Sequence, residues 1–367
     1  MSINQNKNSK HIFFMNLALM QAYKNLGNTK KNPSVGCVIV SNGHLIGAGS
    51  TGINGRPHAE ENAMNFCQSK IKNSHIYITL EPCSHTGKTS PCVKKIINKK
   101  IKKVFFSLKD PDQRSYGKSI KQFKKKKIAV NHGILISEIY KFYESYIKDK
   151  KNYLPHITCK LAASRDLFTV NRKEKWITNP FSRGRVHLMR SQHDCILTSI
   201  KTIIDDNPLL DCRIFGLEDK SPSRIIIDKN LNIPLNSKII KTAHEHSTII
   251  FFNKINTKKS TFLKKKKIQL IWLPTNDKGN FNLKNLTKKI KFLGFSRIFL
   301  EAGLNLTTNF LNEGLINDFY LFLSHKKLGN IGRNSFKSNM KILKKSKKFF
   351  EEKVNLLGDR LITYRIN

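Results

Sequence analysis

Pro57-His58-Ala59-Glu60, then Glu81-Pro82-Cys83, then Pro91-Cys92: the reading of this chain turns on these three short segments. Between positions 58 and 92 they place one imidazole, two thiols and, two residues beyond the imidazole, a free carboxylate. Zinc takes nitrogen and sulfur ligands, and a catalytic zinc keeps three protein ligands and one open position. His58, Cys83 and Cys92 supply such a set. Zinc brings the pKa of water towards ~7. Glu60, two residues beyond the histidine, is close enough to take that water's proton without being a ligand and to pass it to a leaving amine.

The ordered set matches the His-x-Glu, Pro-Cys, Cys pattern of zinc deaminases, and hydrolytic deamination is the chemistry it implies. A purely structural zinc module leaves Glu60 unexplained. The usual spacing is Pro-Cys-x-x-Cys, whereas here the longer insert Ser84–Pro91 stands between the cysteines. Its His85 is either a rival ligand or a substrate contact.

Working outward, Ile12 to Leu26 has helical spacing at Phe13, Leu17, Met20 and Tyr23, with Gly27 as a stop. Val35 to Val40 is an apolar, β-branched run that reads as a buried strand, and Asn42-Gly43 turns it back into 44–48. Gly47-Ala48-Gly49-Ser50-Thr51-Gly52 fits G-x-G-x-x-G, but a dinucleotide site needs a helix to open on that loop. Ile53-Asn54-Gly55-Arg56-Pro57 follows instead, so these read as strand-end glycines. A helix is predicted from His58 to Cys67, a strand over 76–80, a helix from Cys92 with Val93, Ile96 and Ile97 inward, a strand over 103–108 and a helix over 137–148. Alternating strands and helices imply an α/β sheet. Polar Asp149-Lys150-Lys151-Asn152 before Pro155 sets a domain boundary, giving 1–149 and 150–367. The pattern then restarts with strands at 156–163, 194–198 and 224–228 and a helix at 180–191.

The insert decides the family. Glu81 to Cys92, together with Asn32-Pro33-Ser34-Val35-Gly36-Cys37-Val38-Ile39-Val40, closely resembles the zinc motif of the bifunctional riboflavin-biosynthesis deaminase/reductases. The second half carries Lys160-Leu161-Ala162-Ala163-Ser164, Trp176-Ile177-Thr178, Arg190-Ser191-Gln192, Thr202 to Leu210, Arg213, Arg224 to Asp228 and Glu301-Ala302-Gly303. These resemble the reductase half of that family, in the same order. The resemblance implies a cytidine-deaminase-like zinc domain followed by a dihydrofolate-reductase-like domain that uses NADPH. It implies that Ala162, Trp176, Thr202, Asp206, Gly303, Leu304 and Asn305 contact NADP. It further implies that Glu174, Arg190, Leu210, Arg213 and Glu301 contact a phosphoribosyl-pyrimidine. There are departures: Leu167 stands where the family has Gly, Glu174 where it has Ser, and His325-Lys326 where it has Pro-Lys.

The chain has 67 Lys+Arg against 25 Asp+Glu, a net charge of +42. Such an excess raises nucleic acid as a partner. It is spread along the chain, however, and runs such as 124–127 and 264–267 lack the interleaved aromatics of a single-strand platform. Nucleic acid is therefore not the expected partner. The rival reading, a tRNA-editing adenosine deaminase with a basic RNA-binding extension, draws on this charge alone. Seven widely spaced cysteines do not make a disulfide framework. Cys37, Cys67, Cys159, Cys195 and Cys212 read as core residues. No apolar run is long enough for a transmembrane span, and Met1 to Lys10 lacks a signal-peptide apolar region. A cytoplasmic homo-oligomer, a dimer, is expected.

Overall fold

In the computed structural model, residues 2–67, 71–87, 89–151, 154–346 and 348–366 are described, with side chains from position 9 onward. Lys88 of the insert and Asn152 of the expected linker lie outside them. The chain divides into two compact units, Met1–Asn152 and Tyr153–Asn367.

The first unit runs α1 (Ser2–Tyr23), β1 (Gly36–Ser41), β2 (His44–Ser50), α2 (Ala59–Asn65), β3 (His75–Leu80), α3 (Cys92–Asn98), β4 (Lys103–Leu108), α4 (Lys118–Lys125), β5 (Ala129–His132) and α5 (Ile136–Lys151). Its sheet has the order β2-β1-β3-β4-β5. β1 is antiparallel to both neighbours, and β3, β4 and β5 are parallel. The inner strands β3 and β4 are buried on both faces, which is why their sequences are largely apolar, while the edge strand β5 is mostly exposed. Alternation then sorts the side chains. Val38, Val40, Tyr77 and Phe105 pack with α1 and α5 on one face. Cys37, Ile39, Ile76, Ile78, Val104 and Phe106 pack with α2, α3 and α4 on the other.

Two expectations are corrected here. Phe13, Met20 and Tyr23 are exposed, and α1 buries Met15, Ala18, Leu19 and Ala22 instead. The reason is close approach: a Cβ on Gly36 would lie 1.8 Å from Ala18 O. Only small residues allow that contact, so helical spacing of large residues misjudges the buried face. Cys67 is half-buried, not core. The G-x-G-x-x-G glycines also find their cause in packing. Cβ atoms at Gly47 and Gly49 would lie 2.5 Å from Ala63 O and 2.4 Å from Ala63 N, because β2 presses on α2.

The second unit runs β6 (His156–Ala163), β7 (Phe168–Asn171), α6 (Pro180–Ser191), β8 (Cys195–Ser199), α7 (Ile200–Asp206), β9 (Ser223–Ile227), α8 (Lys238–Lys241), β10 (Thr248–Phe252), α9 (Thr257–Lys265), β11 (Gln269–Trp272), α10 (Leu283–Phe292), β12 (Arg297–Leu300), α11 (Leu304–Asn312), β13 (Asp318–Leu323), β14 (Gly332–Ser335), α12 (Lys337–Lys344), β15 (Lys348–Glu351) and β16 (Arg360–Arg365). Its main sheet is ordered β11-β10-β9-β8-β12-β6-β13-β16-β15. β8, β12 and β6 are adjacent and parallel. One apolar cluster packs α10, α11 and α12 on one face, and a second packs α6, α7, α8 and α9 on the other. Leu167 sits at φ +69°, in the β6–β7 turn. That is a left-handed position a glycine occupies without strain, so the departure noted in the sequence carries a backbone cost of about 1–2 kcal/mol.

Candidate metal centre and candidate reductase site

The three predicted ligands come together. The ligand atoms of His58, Cys83 and Cys92 all lie within 4.8 Å of one another. His58 Nδ1 is 3.3 Å from Cys92 Sγ and 3.6 Å from Cys83 Sγ, and the Cys92 N–H donates to Cys83 Sγ at 3.3 Å. His58 is the N-cap of α2, Cys92 opens α3, and Cys83 follows β3. A nitrogen and two sulfurs converging in this way fit zinc. A side-chain bond between the two thiols holds the Cys83 thiol well below its usual value and pushes the Cys92 thiol up. A thiolate, the form that binds metal, is thus already favoured.

Glu60 is buried beside this cluster, and burial raises its carboxyl while the nearby His58 opposes the rise. His85 stands outside the cluster: its Nδ1 is 3.1 Å from Ser115 Oγ. Glu81, which precedes the Pro82-Cys83 pair, is a residue the sequence did not single out. Its buried carboxylate accepts from the N–H groups of Asp110, Gly117 and Ser119 and from Ser119 Oγ at 2.6 Å. That ties the strand end carrying Cys83 to the loop before α4.

In the second unit Glu301 follows β12 and Thr202 follows β8, at the carboxyl edge where open parallel sheets bind ligands, and Arg190 and Lys160 meet Glu301 there. Arg190, from α6, grips Glu301 with both arms of its fork: Nε and Nη2 each donate at 2.9 Å. Its Nη1 donates to Asp211 O at 2.9 Å. Lys160 Nζ lies 3.8 Å from Glu301 Oε1. Burial pushes the Glu301 carboxyl up, but Arg190 and Lys160 outweigh it and hold it at about 2. Burial likewise lowers Lys160, against the pull of Glu301. Lys160 is the functional candidate missed by the sequence reading. Its signal was a single cation within the otherwise apolar strand Ile157–Ala163.

Arg213 pairs with Asp211, and its Nη2 is 3.2 Å from His187 Nε2. His187 in turn lies beside Arg190. Leu210 is buried at φ +55° next to Asp211. Thr202 Oγ1 is 3.3 Å from Ser199 Oγ, and Asp206, exposed, ends α7. Its carboxyl is raised by partial burial and then by Asp205. Ala162 lies on β6, two residues beyond Lys160. Trp176 is 55 % exposed, with Arg183 4.8 Å and Lys175 5.4 Å from its ring centre. Glu174 reaches Lys326 at 3.9 Å, so two of the departures are neighbours.

Gly303 caps α11, with Leu304 and Asn305 as its first turn. It has φ −64°, and an added Cβ would meet nothing. Neither backbone nor packing therefore demands glycine there. Exposed N–H groups at a helix start suit an approaching phosphate, as a nicotinamide dinucleotide brings. Arg224 and Asp228, by contrast, do not join the site. Arg224 is fully buried, with its guanidinium shared among Thr248, Thr242, Leu209 O, Ile239 O and His246 O. Asp228 accepts from the N–H groups of Asn232 and Ile233.

Comparison with known proteins finds relatives for both units. Residues 155–362 match the RibD C-terminal domain, and residues 8–108 match the cytidine and deoxycytidylate deaminase zinc-binding region. Riboflavin biosynthesis protein RibD of Aquifex aeolicus is 35 % identical over 359 residues, 96 % of this chain and 97 % of that protein. The Escherichia coli protein of the same name is 30 % identical, covering 88 % and 89 %. Among solved structures, Acinetobacter baumannii RibD superposes with a TM-score of 0.83 at 26 % identity, covering 98 % of this chain and 99 % of that one. A Thermotoga maritima diaminohydroxyphosphoribosylaminopyrimidine deaminase/5-amino-6-(5-phosphoribosylamino)uracil reductase also gives 0.83, at 25 % identity and coverage of 98 % and 100 %. A reductase-family match over the second unit stands where the rival reading needs an RNA-binding extension. No helix among the described residues is long and apolar enough to cross a membrane.

Proposed function

Because this chain belongs to the RibD family, the bifunctional deaminase/reductases of riboflavin biosynthesis, we propose that it performs both reactions in turn. The first unit deaminates 2,5-diamino-6-(5-phosphoribosylamino)pyrimidin-4(3H)-one. The second reduces the ribosyl group of the product with NADPH, giving 5-amino-6-(5-phosphoribitylamino)uracil. The observation that carries this is a His/Cys/Cys cluster with a buried Glu60 two residues from its histidine, in a chain whose other half matches the reductase domain.

His58, Cys83 and Cys92 would hold one zinc, whose chemistry when bound would be to make a water nucleophilic near neutral pH. Glu60 accepts a proton from the attacking water and delivers one to the departing amine, so that a C–O bond forms, a C–N bond breaks and ammonia leaves. Burial favours the protonated form of Glu60, which suits the second of these tasks.

In the second unit, a bound NADPH would supply the hydride that C1′ takes up. A proton must reach the ring oxygen as the sugar opens. Lys160, held beside Glu301, is the group we assign as its source. Ala162, Trp176, Thr202, Asp206 and the Gly303–Asn305 turn contact the cofactor. Glu174, Leu210 and Arg213 face the substrate, and Arg190 and Glu301 shape its pocket as one bidentate unit. Seven free cysteines suit a reducing compartment, the cytoplasm.

The test is kinetic. With the diaminopyrimidine supplied, a strong chelator abolishes ammonia release. With the already deaminated pyrimidine supplied, the same chelator leaves NADPH oxidation unchanged. Equal loss of both steps would sink the division of labour.

A further inference from the structure

We infer that Arg56 is a specificity-determining residue of the first unit: from the rim of the His58/Cys83/Cys92 centre it receives the phosphate of the pyrimidine substrate. This rests on the deaminase reading above and assigns that site a substrate-class selector.

The backbone that delivers Arg56 is held from several sides. The Gly52 N–H donates to Pro57 O at 2.8 Å, the Gly55 N–H to Gly52 O at 2.9 Å, and the Asn54 N–H to Asn28 O at 2.8 Å. Asn32 Nδ2 donates to Gly55 O at 2.9 Å. Gly55 itself has φ +89°, and a Cβ there would lie 2.6 Å from Asn32 Nδ2. Positive φ and this close approach both demand glycine. Little freedom is left in the segment that carries the arginine.

From this fixed base the side chain crosses to the insert between the two cysteine ligands. Nη1 donates to Thr89 Oγ1. Nη2 lies 3.7 Å from where a Cβ on Gly87 would stand, so that neighbour offers only backbone. Arg56 precedes His58 by two residues, and Thr89 precedes Cys92 by three. The contact therefore spans the two segments that bring ligands to the centre.

A guanidinium has five N–H donors. Among the described residues, Thr89 Oγ1 is the acceptor Arg56 uses, and no carboxylate pairs with it. Arg190, Arg114 and Arg360, by contrast, each hold a carboxylate. A neutral side chain would serve to bond Thr89. A planar cation with its remaining donors open, preset by one hydrogen bond, suits a phosphate ester, which it can grip through two oxygens.

The experiment measures deamination by the full chain on the phosphoribosylamino pyrimidine and on its dephosphorylated counterpart. Zinc content by metal analysis serves as the check that the first unit is folded. Arg56→Gln should raise the KM for the phosphorylated substrate about 10- to 100-fold, the range for losing one charge-assisted contact, and should leave kcat/KM for the dephosphorylated one unchanged. Arg56→Lys should restore part of the preference. Thr89→Val, which keeps the charge, should retain most of it. Equal losses on both substrates, or a loss reproduced by Thr89→Val, would show that Arg56 only clamps the insert and would overturn the inference. Wild-type protein that deaminates neither pyrimidine would instead overturn the deaminase reading, and the inference would fall with it.

Discussion

The metal centre and the reductase site solve one problem in opposite ways. Each holds ionisable groups out of water at the carboxyl ends of parallel strands. In the first unit the groups lie between positions 58 and 92 and remain mutually unsatisfied: two sulfurs and a nitrogen crowd together, one thiol depressed and one raised. Such a cluster is incomplete without a cation. In the second unit the groups run from Lys160 to Glu301 and satisfy one another, with one carboxylate set against two cations. That site is complete as protein, and we propose that its ligands are recognised at its edges, by Arg213, Trp176 and the Gly303 turn. A buried charge is tolerated when paired. The first unit leaves the pairing to metal and the second supplies it from the chain.

The largest effect that would test this contrast is at Glu60. It is no part of the ligand cluster, so Glu60→Gln should retain zinc by metal analysis while deamination falls about 10²–10⁴-fold. Reduction of the deaminated pyrimidine should be unchanged. Loss of zinc in this variant would make Glu60 a ligand and erase the distinction between the clustered and the free group.

A smaller effect is expected at Glu301. Glu301→Gln leaves Arg190 and Lys160 buried without their anion, a change that costs about 3–5 kcal/mol. Urea unfolding should show the second unit weakened by that order, with reduction impaired and deamination retained. A second unit of wild-type stability would mean that the carboxylate is not what holds the two cations.

The smallest test uses pH. His193 is buried, and burial lowers its ring to about 3. The unfolded chain takes up a proton near 6.5 that the folded chain refuses until about 3. Stability is therefore lost as pH falls through that window. Between pH 7 and pH 5 this one group removes about 2 kcal/mol. His193→Gln should flatten the acid slope of the second unit by that amount. An unchanged slope would show that other groups govern its acid sensitivity. The first unit's slope should be the same in both proteins.

Much of the first site was legible in the sequence because its chemistry is local. His58, Cys83 and Cys92 sit at element boundaries marked by Pro57, Pro82 and Pro91, and ligand types at such boundaries announce a metal wherever the chain then goes. The α/β pattern was legible for a similar reason, since continuous β-branched runs such as Cys37–Val40 have few other uses. The face of α1 was not legible. The decisive contact, Ala18 against Gly36, involves residues with almost no side chain to read.

The second site shows the opposite case. Its motifs could be recognised in order, but nothing in the sequence separates Arg190, which grips Glu301 at the site, from Arg224, whose guanidinium is spent entirely on Thr248, Thr242 and nearby carbonyls. Both are buried arginines in apolar surroundings, and only the acceptors that the fold brings to them differ. By itself the sequence determined which groups can ionise, ligate or turn the chain, because those properties belong to single residues and short spacings. The tertiary structure alone decided which charges find partners and which remain open, because pairing depends on distances between segments as far apart as β6 and β12.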